Sequence, residues 1–491
     1  MTGRRAACLV GLLAWLLGGV PARAIERTVG GRPLEVTGWL ELREIIRADR
    51  SSPNELALEQ LWLRGRYRVL GALALETTLN TQHGGPATEQ TNGGMYSYRA
   101  VFQSVSPSVQ FESAFADLTL GPVDVRAGLQ KFAWGKLDRV QPTDVLTPER
   151  YSDPFLLDED ERKIAIPAVQ ASYYLPRRDW IPEESRLTLI WIPQYIPYRF
   201  PLLGERWFPP AAVIQSSFPI AGLGSIPVGE RLVNASPPSF RLDNSGYAAR
   251  VSGFAKGVDY SLCYYHGFDR VPAFSLTAEA LSDPSLQNLR AETRLAPVFR
   301  TINLAGGDAA YAWNAFTVRF EAAFVDGRPF SRDIRNLTTP GQLQPQIPGI
   351  VQQLQLGHSP QPVKLPQSFA VRDAVLWGLG VDYTWNGYLI LVQVNQTDVL
   401  HNDVPLLIKD VDTVLVGNLR KSFLNDDLTT QLIAVQALES GYTLLMPRVT
   451  YQLWEHLEAR AGYLFIAGRS NSTVGQYKDN GEAFFWIRYL I

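Results

Sequence analysis

The sequence predicts an all-β fold, a single transmembrane antiparallel up-and-down β-barrel of about 18 strands, with about 16 as the alternative. Three observations lead to this prediction. Beyond residue 24 there is no apolar run of the roughly 18 residues that a membrane-spanning helix needs. Apolar and polar residues alternate in short segments, and the connections between these segments are alternately short and long.

Side chains alternate between an apolar and a polar face in each predicted strand. In the first one, Leu34, Val36 and Leu40 share a face, while Glu41 and Arg43 lie on the other. An amphipathic helix would instead repeat its apolar residues about every 3.6 positions. The alternation predicts strands at 34–47, 58–68, 72–80, 108–120, 122–133, 166–176, 185–194, 246–256, 258–268, 299–312, 315–326, 373–385, 388–398, 411–424, 427–438, 441–454, 457–468 and 481–491.

The connections between the predicted strands are of two kinds. Several short turns carry glycine or asparagine, which accept the positive φ of a tight hairpin; the turns fall near 70–71, 121–122, 256–257, 313–314, 386–387, 425–426 and 455–456. Long loops alternate with them at 81–107, 134–165, 195–245, 269–297 and 327–372, with shorter ones near 399–411 and 469–480. Short periplasmic turns and long extracellular loops are typical of a membrane barrel, whereas a soluble sandwich has no reason to alternate them.

The first 24 residues have the features of a secretory signal peptide. The basic pair Arg4-Arg5 precedes an apolar run over 9–17, and a small-residue site predicts cleavage after Ala24. Together with the residues 6–8 before it, the apolar run is about 12 residues long, which is too short to cross a bilayer as a helix. We therefore expect export and a mature barrel formed by 25–491.

Composition argues against several classes of function. The formal net charge of -2, without a basic stripe, argues against a nucleic-acid binder. The five histidines fall mostly in predicted loops or turns, and no nucleophile elbow or zinc-protease motif occurs, so we expect no enzyme and no cofactor. The acidic run 158–161 lacks the spaced ligands and the glycine of a calcium loop, so no metal is expected. Cys263 alone follows the signal, which leaves no internal disulfide.

The stretch 128–167 is the most distinctive connection, because basic and acidic residues are interspersed throughout it. If it folds into the barrel mouth, it narrows the pore and sets the electric field there. If it projects outward, its charges are merely hydrated. The candidate pore or constriction residues are Lys131, Trp134, Lys136, Arg139, Asp144, Arg150, Asp158, Glu159, Asp160 and Glu161.

Charged side chains are also predicted to point inward from several strands, because alternate residues face the lumen. An arginine-rich wall would attract anions. Alternatively, these charges pair across strands and stiffen the lumen. The candidate lumen-wall residues are Arg64, Arg66, Arg68, Arg126, Arg319, Glu321, Arg460 and Arg488.

Aromatic residues are frequent near the predicted strand ends, where interfacial girdles are their natural use. Trp39, Trp62, Trp385, Trp454 and Trp486 are examples. The final strand, 481–491, is aromatic, as is common at the end of bacterial barrels.

Two short motifs follow one another where a strand meets its loop, KFAWGK at 131–136 and QPTDVL at 141–146. Together they resemble the corresponding element of a family of uncharacterised porin-like outer-membrane barrels of Gram-negative bacteria, in which Asn is more usual than Gln141. Shorter similarities at 258–270, 324–330 and 476–480 spread the resemblance over most of the mature chain. Alginate-export barrels are similar in overall style. The resemblance implies an outer-membrane barrel that acts beside an envelope exporter, and it implies no known substrate.

We expect the chain to be a porin-like channel of the cell outer membrane that passes solutes or an exported substrate. The alternative is a closed structural or partner-binding barrel associated with an envelope transport system. Expected partners are outer-membrane lipid, the barrel-assembly machinery during biogenesis, and an inner-membrane or periplasmic export component. The aromatic and proline residues of 193–210 would line an apolar substrate track or cap the barrel.

Overall fold

The computed structural model describes residues 25–48, 55–84, 109–151, 153–178, 181–220 and 224–491. The predicted signal segment and most of the predicted loop 81–107 lie outside the described residues. The strands, in chain order, are β1 (Ile25–Val29), β2 (Arg32–Arg47), β3 (Glu55–Arg68), β4 (Leu73–Gly84), β5 (Gln110–Leu120), β6 (Val123–Gln130), β7 (Ile166–Tyr174), β8 (Glu183–Ile192), β9 (Ser217–Ile220), β10 (Gly224–Leu232), β11 (Gly246–Ala255), β12 (Val258–Phe268), β13 (Ala273–Leu281), β14 (Arg290–Val298), β15 (Thr301–Trp313), β16 (Phe316–Ser331), β17 (Gln361–Val363), β18 (Phe369–Trp385), β19 (Tyr388–Val399), β20 (Val411–Phe423), β21 (Leu428–Ala437), β22 (Tyr442–Trp454), β23 (Leu457–Gly468) and β24 (Glu482–Leu490).

Among the described residues of the connections there are three short α-helices: α1 (Glu159–Arg162), α2 (Pro340–Leu343) and α3 (Ile347–Gln355). In the part of the chain that the structure describes, no helix is long and apolar enough to cross a membrane.

Eighteen strands form a closed antiparallel barrel, which confirms the predicted fold class. They are β2 to β8, β11, β12, β15, β16 and β18 to β24, each hydrogen-bonded to the next. The barrel closes where β24 pairs with β2, with Tyr489 opposite Leu40. Closure leaves no free strand edge, so the backbone groups of the wall are paired within it. All 18 predicted strands coincide with barrel strands.

The two faces of the wall follow the predicted alternation. On β12, Leu262 and Tyr264 face outward and are 65% and 46% exposed, whereas Ser261 and Tyr265 face inward and are 1% exposed. A Ser or Glu side chain turned inward can find polar partners, and an outward Leu meets lipid.

The short turns lie where the sequence predicts them. Positive φ occurs at Lys256 and Gly257, at Asn314, and at Asn386 and Gly387. These turns are all at one end of the barrel, and the long connections are at the other.

Three long connections carry a second sheet that the sequence analysis did not predict. Its strand order is β17-β13-β14-β10-β9. The pairing between β10 and β14 is parallel, with Val228 opposite Ala291. Apolar side chains of α3, including Ile347 and Ile350, line the same small pocket as Ala278 on β13. Strands this short carry little pattern, and their partners come from a different connection, so no local signal marks them.

Three of the tryptophans near strand ends face the lumen and do not lie in an interfacial girdle. Trp486 is 1% exposed inside the barrel, with Arg43 over its ring at 4.7 Å. Trp39 and Trp62 stack at 5.5 Å, with the Arg488 guanidinium over Trp39. These residues sit on inward positions of their strands, and position on the strand decides which way they point. Trp385 and Trp454, by contrast, are 58% and 61% exposed beside short turns.

Candidate functional site

Residues 131–165, which join β6 to β7, fold into the barrel; we call them the inward segment. They bond to inward-facing side chains on opposite sides of the wall, namely Arg43 on β2, Glu112 on β5, Asp259 on β12, Glu321 on β16 and Gln393 on β19. The segment therefore crosses the lumen and narrows it.

The Glu321 carboxylate, 0% exposed on the inner face of β16, anchors the turn that contains Trp134 and Gly135. It accepts hydrogen bonds from the backbone N–H groups of Lys136 and Leu137, the latter at 2.6 Å, and from the hydroxyl of Thr143 at 3.1 Å. A Cβ on Gly135 would lie 2.6 Å from Glu321 Oε1, and the φ of Gly135 is +98°, so glycine is required there. The two sequence motifs thus form one structural unit around this carboxylate.

Asp144 connects this turn to the end of the inward segment. Its carboxylate accepts a hydrogen bond from the N–H of Trp134 at 3.3 Å and pairs with Lys163 at 2.7 Å. Lys163 also reaches Glu159 at 2.6 Å. Burial raises the pKa of Asp144 to about 6, and the Lys163 ammonium opposes the rise. The carboxylate therefore takes up a proton just below neutral pH.

The tip of the inward segment is clamped by Gln393 on β19. The Gln393 side-chain carbonyl accepts from the N–H of Asp138, and its amide donates to the carbonyl of Asp138, both at 2.9 Å. Gln141 donates to the carbonyl of Leu137 at 2.6 Å and closes the turn. Between them, Arg139 has a φ of 59°, which is uncommon for a residue with a side chain, and its side chain is exposed.

Ion pairs fix the beginning of the inward segment and its residue Arg150 to one carboxylate of the wall. Glu112, 1% exposed, receives Lys131 at 2.5 Å and Arg150 at 3.0 Å. Lys131 also donates to the backbone carbonyl of Asp160 at 2.6 Å, while the Asp160 side chain is exposed. The wall carboxylate is thereby neutralised by the segment.

Further pairs involve the middle of the segment and helix α1. Lys136 pairs with Asp259 at 2.7 Å. Glu161 pairs with Arg488 at 2.9 Å and with Arg43 at 3.4 Å. Burial raises the pKa of Glu161, and both arginines oppose the rise.

Most of the predicted wall arginines have a carboxylate partner. The pairs are Arg64 with Glu76 at 2.7 Å, Arg126 with Asp117 at 2.6 Å, Arg319 with Asp382, and Arg488 with Glu41 at 2.6 Å. Arg66 and Arg68 are exposed at the short-turn end of β3. Arg460 stacks on Trp486 at 4.6 Å, and its ion pairs to Asp158 and Glu458 are both long, at 3.8 Å. Arg460 and Arg488 of the predicted lumen wall thus pair with Asp158 and Glu161 of the predicted constriction.

A second stretch, 205–212, also enters the barrel. Arg206 pairs with the buried Glu482 on β24 at 3.1 Å. Trp207, 4% exposed, packs edge-on against Phe155 of the inward segment and against Tyr477. Part of the predicted aromatic track, 193–210, therefore packs inside the barrel.

Two cavities lie against the inner side of the wall formed by β20 to β23. The larger, about 490 Å³, lies towards the long connections, and its lining includes Arg139 of the inward segment and Val414, Val435 and Leu444 of the wall. The smaller, about 250 Å³, lies towards the short turns and is lined by Arg420, Thr429, Gln431, Arg448, Thr450, Gln452, Glu458 and Arg460 of the wall and by Asp426 and Asp427 of a turn.

The inward segment contacts this sector of the wall mainly through apolar packing, in which Leu156 lies against Ile433 and Leu444, and its ion pairs to the arginines there are long. Asp158 lies 3.8 Å from both Arg448 and Arg460. Several of the segment's contacts with other strands are shorter, at 2.5 to 3.1 Å, including those to Glu112, Glu321 and Arg488. The space beside β20 to β23 is therefore bordered by arginines that are only loosely neutralised.

Sequence reasoning did not find the anchoring roles of Gln393, Arg43 and Glu321. Their positions on the strands place all three inward, and that signal was available. Their partners lie far along the chain; Asp138 and Gln393, for example, are 255 residues apart. A pairing at that distance leaves no local pattern.

No family model matches the sequence, and no curated protein is significantly similar to it. Among solved structures, OccAB1 of Acinetobacter baumannii has a TM-score of 0.51 at 6% identity, covering 96% of this chain and 98% of that one. OccD3 (OpdP) of Pseudomonas aeruginosa has 0.47 at 8% identity, covering 96% and 94%. OmpF of Salmonella typhi, in complex with daunomycin, has 0.40 at 9% identity, covering 95% and 100%. These proteins are porins of Gram-negative outer membranes. The likeness to OccAB1 shows that this chain has the porin fold.

Proposed function

We propose that this chain is a channel of the Gram-negative outer membrane that passes small anionic solutes. One observation carries the proposal: the inward segment leaves space on both of its sides along β20 to β23, and arginines border that space. The porin fold supports the membrane assignment, because a barrel with an apolar outer surface is built to sit in a bilayer.

The arrangement of charge favours anions. In the larger cavity three arginines, Arg139, Arg162 and Arg332, accompany one carboxylate, Glu149. In the smaller cavity the wall arginines are balanced by three carboxylates, so the excess of positive charge lies in the larger cavity. Positive side chains in a narrow, low-dielectric passage attract anions and repel cations. Arg64, Arg126 and Arg319 contribute less, because each has its own carboxylate.

The proposal includes the route by which the protein reaches the outer membrane. The chain would be exported by its signal peptide, cleaved after Ala24, and inserted into outer-membrane lipid by the barrel-assembly machinery. An inner-membrane or periplasmic exporter would be a partner if the transported solute is exported.

Single-channel recording of the refolded mature protein in a planar bilayer tests the channel. We expect discrete open steps and a reversal potential, under a potassium chloride gradient, that shows preference for chloride. Heat-dependent mobility in gel electrophoresis reports whether the barrel is folded. A folded protein that never conducts would favour the alternative, a closed barrel that binds a partner.

Lowering the pH from 7 to 5 is expected to increase anion preference. The pKa of Asp144 is about 6, so the carboxylate gains a proton in this interval and the inward segment becomes one charge more positive. The chloride-to-potassium permeability ratio should rise with a midpoint near pH 6. In Asp144→Asn, which is neutral at both pH values, that component should be absent. An unchanged midpoint in the variant would assign the titration to another group.

A further inference from the structure

The larger cavity has walls of an unusual kind for a passage between two aqueous spaces. Phe155, Phe200, Phe208 and Phe274 come from the inward segment and the long connections, and Tyr442 and Leu444 come from the wall. A path for ions alone gains nothing from such walls, since water and ions are held by polar groups. A lining of this kind instead fits the apolar part of an organic molecule.

Three arginines line this apolar space, and they differ in their partners. Arg332 donates to the backbone carbonyls of Pro405 and Gln367. Arg139 forms no ion pair or hydrogen bond through its guanidinium with any residue that the structure describes. By contrast, Arg162, which also lines the cavity, is paired with Glu149 at 3.3 Å. Asp138, the neighbour of Arg139, lies 3.6 Å from Arg319.

The backbone that carries Arg139 is held in position by contacts to the wall. Gln393 clamps the backbone on both sides of this residue, with bonds to Asp138 and to the carbonyl of Val140. The left-handed φ of Arg139 persists because these contacts impose it. The Arg139 side chain reaches solvent but is surrounded by the barrel, and this partial desolvation, together with the nearby Arg162 and Arg448, lowers its pKa to about 10. The side chain therefore keeps its charge at neutral pH.

We propose that the larger cavity is a binding site for an organic monocarboxylate with an apolar, aromatic body. The carboxylate meets the Arg139 guanidinium, which can form two parallel hydrogen bonds with it. The ring system lies against the aromatic and aliphatic walls. The cavity, at about 490 Å³, is of the size of ordinary ligand sites and can hold a fused two-ring acid. This inference rests on the proposed function, because the ligand enters through the lumen.

Other solutes match the site less well. A sugar would need many hydrogen-bonding partners, and the apolar walls do not supply them. An organic cation would face Arg139 with no free carboxylate beside it, because Glu149 is already paired. An inorganic anion would gain nothing from the aromatic lining.

Equilibrium dialysis of the full mature barrel in lipid nanodiscs tests the site, with 2-naphthoate as the probe. We expect saturable binding at one site per chain. Two matched compounds separate the contributions: 2-naphthamide keeps the ring system without the charge, and acetate keeps the charge without the ring system. Both should bind about tenfold more weakly or worse, because each lacks one of the two contributions.

Single substitutions test which residues contact the carboxylate and which contact the ring system. Arg139→Gln should weaken 2-naphthoate binding about tenfold and leave 2-naphthamide binding unchanged. Val435→Asn, on the opposite wall, should weaken both compounds. Arg241→Gln is the control, because this arginine is 70% exposed in a long connection and does not line the cavity. Gel mobility with and without heating reports folding of each variant.

The possible results separate this inference from the channel proposal. Equal affinity for 2-naphthoate and 2-naphthamide, or no effect of Arg139→Gln, would overturn the carboxylate site. A barrel that conducts ions but binds no 2-naphthoate overturns the site and leaves the channel. A folded barrel that binds 2-naphthoate with the expected dependence on Arg139 but never conducts supports the site and overturns the channel.

Discussion

Glu321→Ala is expected to release the inward segment and widen the lumen. The lost carboxylate accepts from the backbone of Lys136 and Leu137 and from Thr143. Each buried donor left without an acceptor costs about 1–3 kcal/mol, so the position of the turn against β16 is no longer stabilised. Single-channel conductance should rise about twofold or more, with noisier open levels, because the constriction has lost its anchor.

Glu76→Ala is the matched control for this substitution. It also removes an inward-facing carboxylate, but Glu76 bonds to Arg64 on the neighbouring strand and not to the inward segment. The control should conduct like the parent protein. If Glu321→Ala folds into a barrel and keeps the parental conductance, the inward segment does not limit the passage.

Arg139→Glu is expected to reverse or abolish the anion preference. The substitution changes the charge at the tip of the inward segment by two units beside the passage along β20 to β23. At about 4 Å in water, one charge contributes about 1 kcal/mol, so the chloride-to-potassium permeability ratio should fall on the order of tenfold. Reversal potentials in a salt gradient measure this ratio.

Arg241→Glu makes the same change of charge on an exposed connection. It should shift the ratio far less, since salt screens charges beyond roughly 10 Å. Equal shifts in the two variants would mean that overall surface charge, and not the passage beside Arg139, sets the selectivity.

The barrel could be predicted from sequence because the alternation of apolar and polar residues within each strand indicates which face meets lipid. Glu41 and Arg43, both buried inside, alternate with Leu40 and Leu42 along β2. A side chain in a strand points to one of two faces, so a short segment is enough to predict which residues face the lumen. The same rule places Trp486 inward with Glu482 and Arg488, and it outweighs the tendency of tryptophan to lie at an interface.

The site could be predicted only in part. The sequence marked the inward segment by its charges, and the structure brings these charges into contact with the wall. The partners of this segment could not be predicted, because Glu321 and Gln393 lie 178 residues or more along the chain from Thr143 and Asp138, which they bind. Nor did the sequence indicate that Arg139 would stay unpaired while Arg150 and Lys131 share Glu112.

The parallel pairing of β10 with β14 has a consequence for how the molecule matures. These strands lie in different connections, and β13 also pairs with β17 from a third. The sheet can form only after the hairpins that carry these connections have reached their places, because long-range contacts close the largest loops. Formation of this sheet should therefore be a late step, which fixes the long connections to one another after the barrel wall is complete. Once formed, it would hold both ends of a connection that a protease had cut, so a nicked chain would keep its shape.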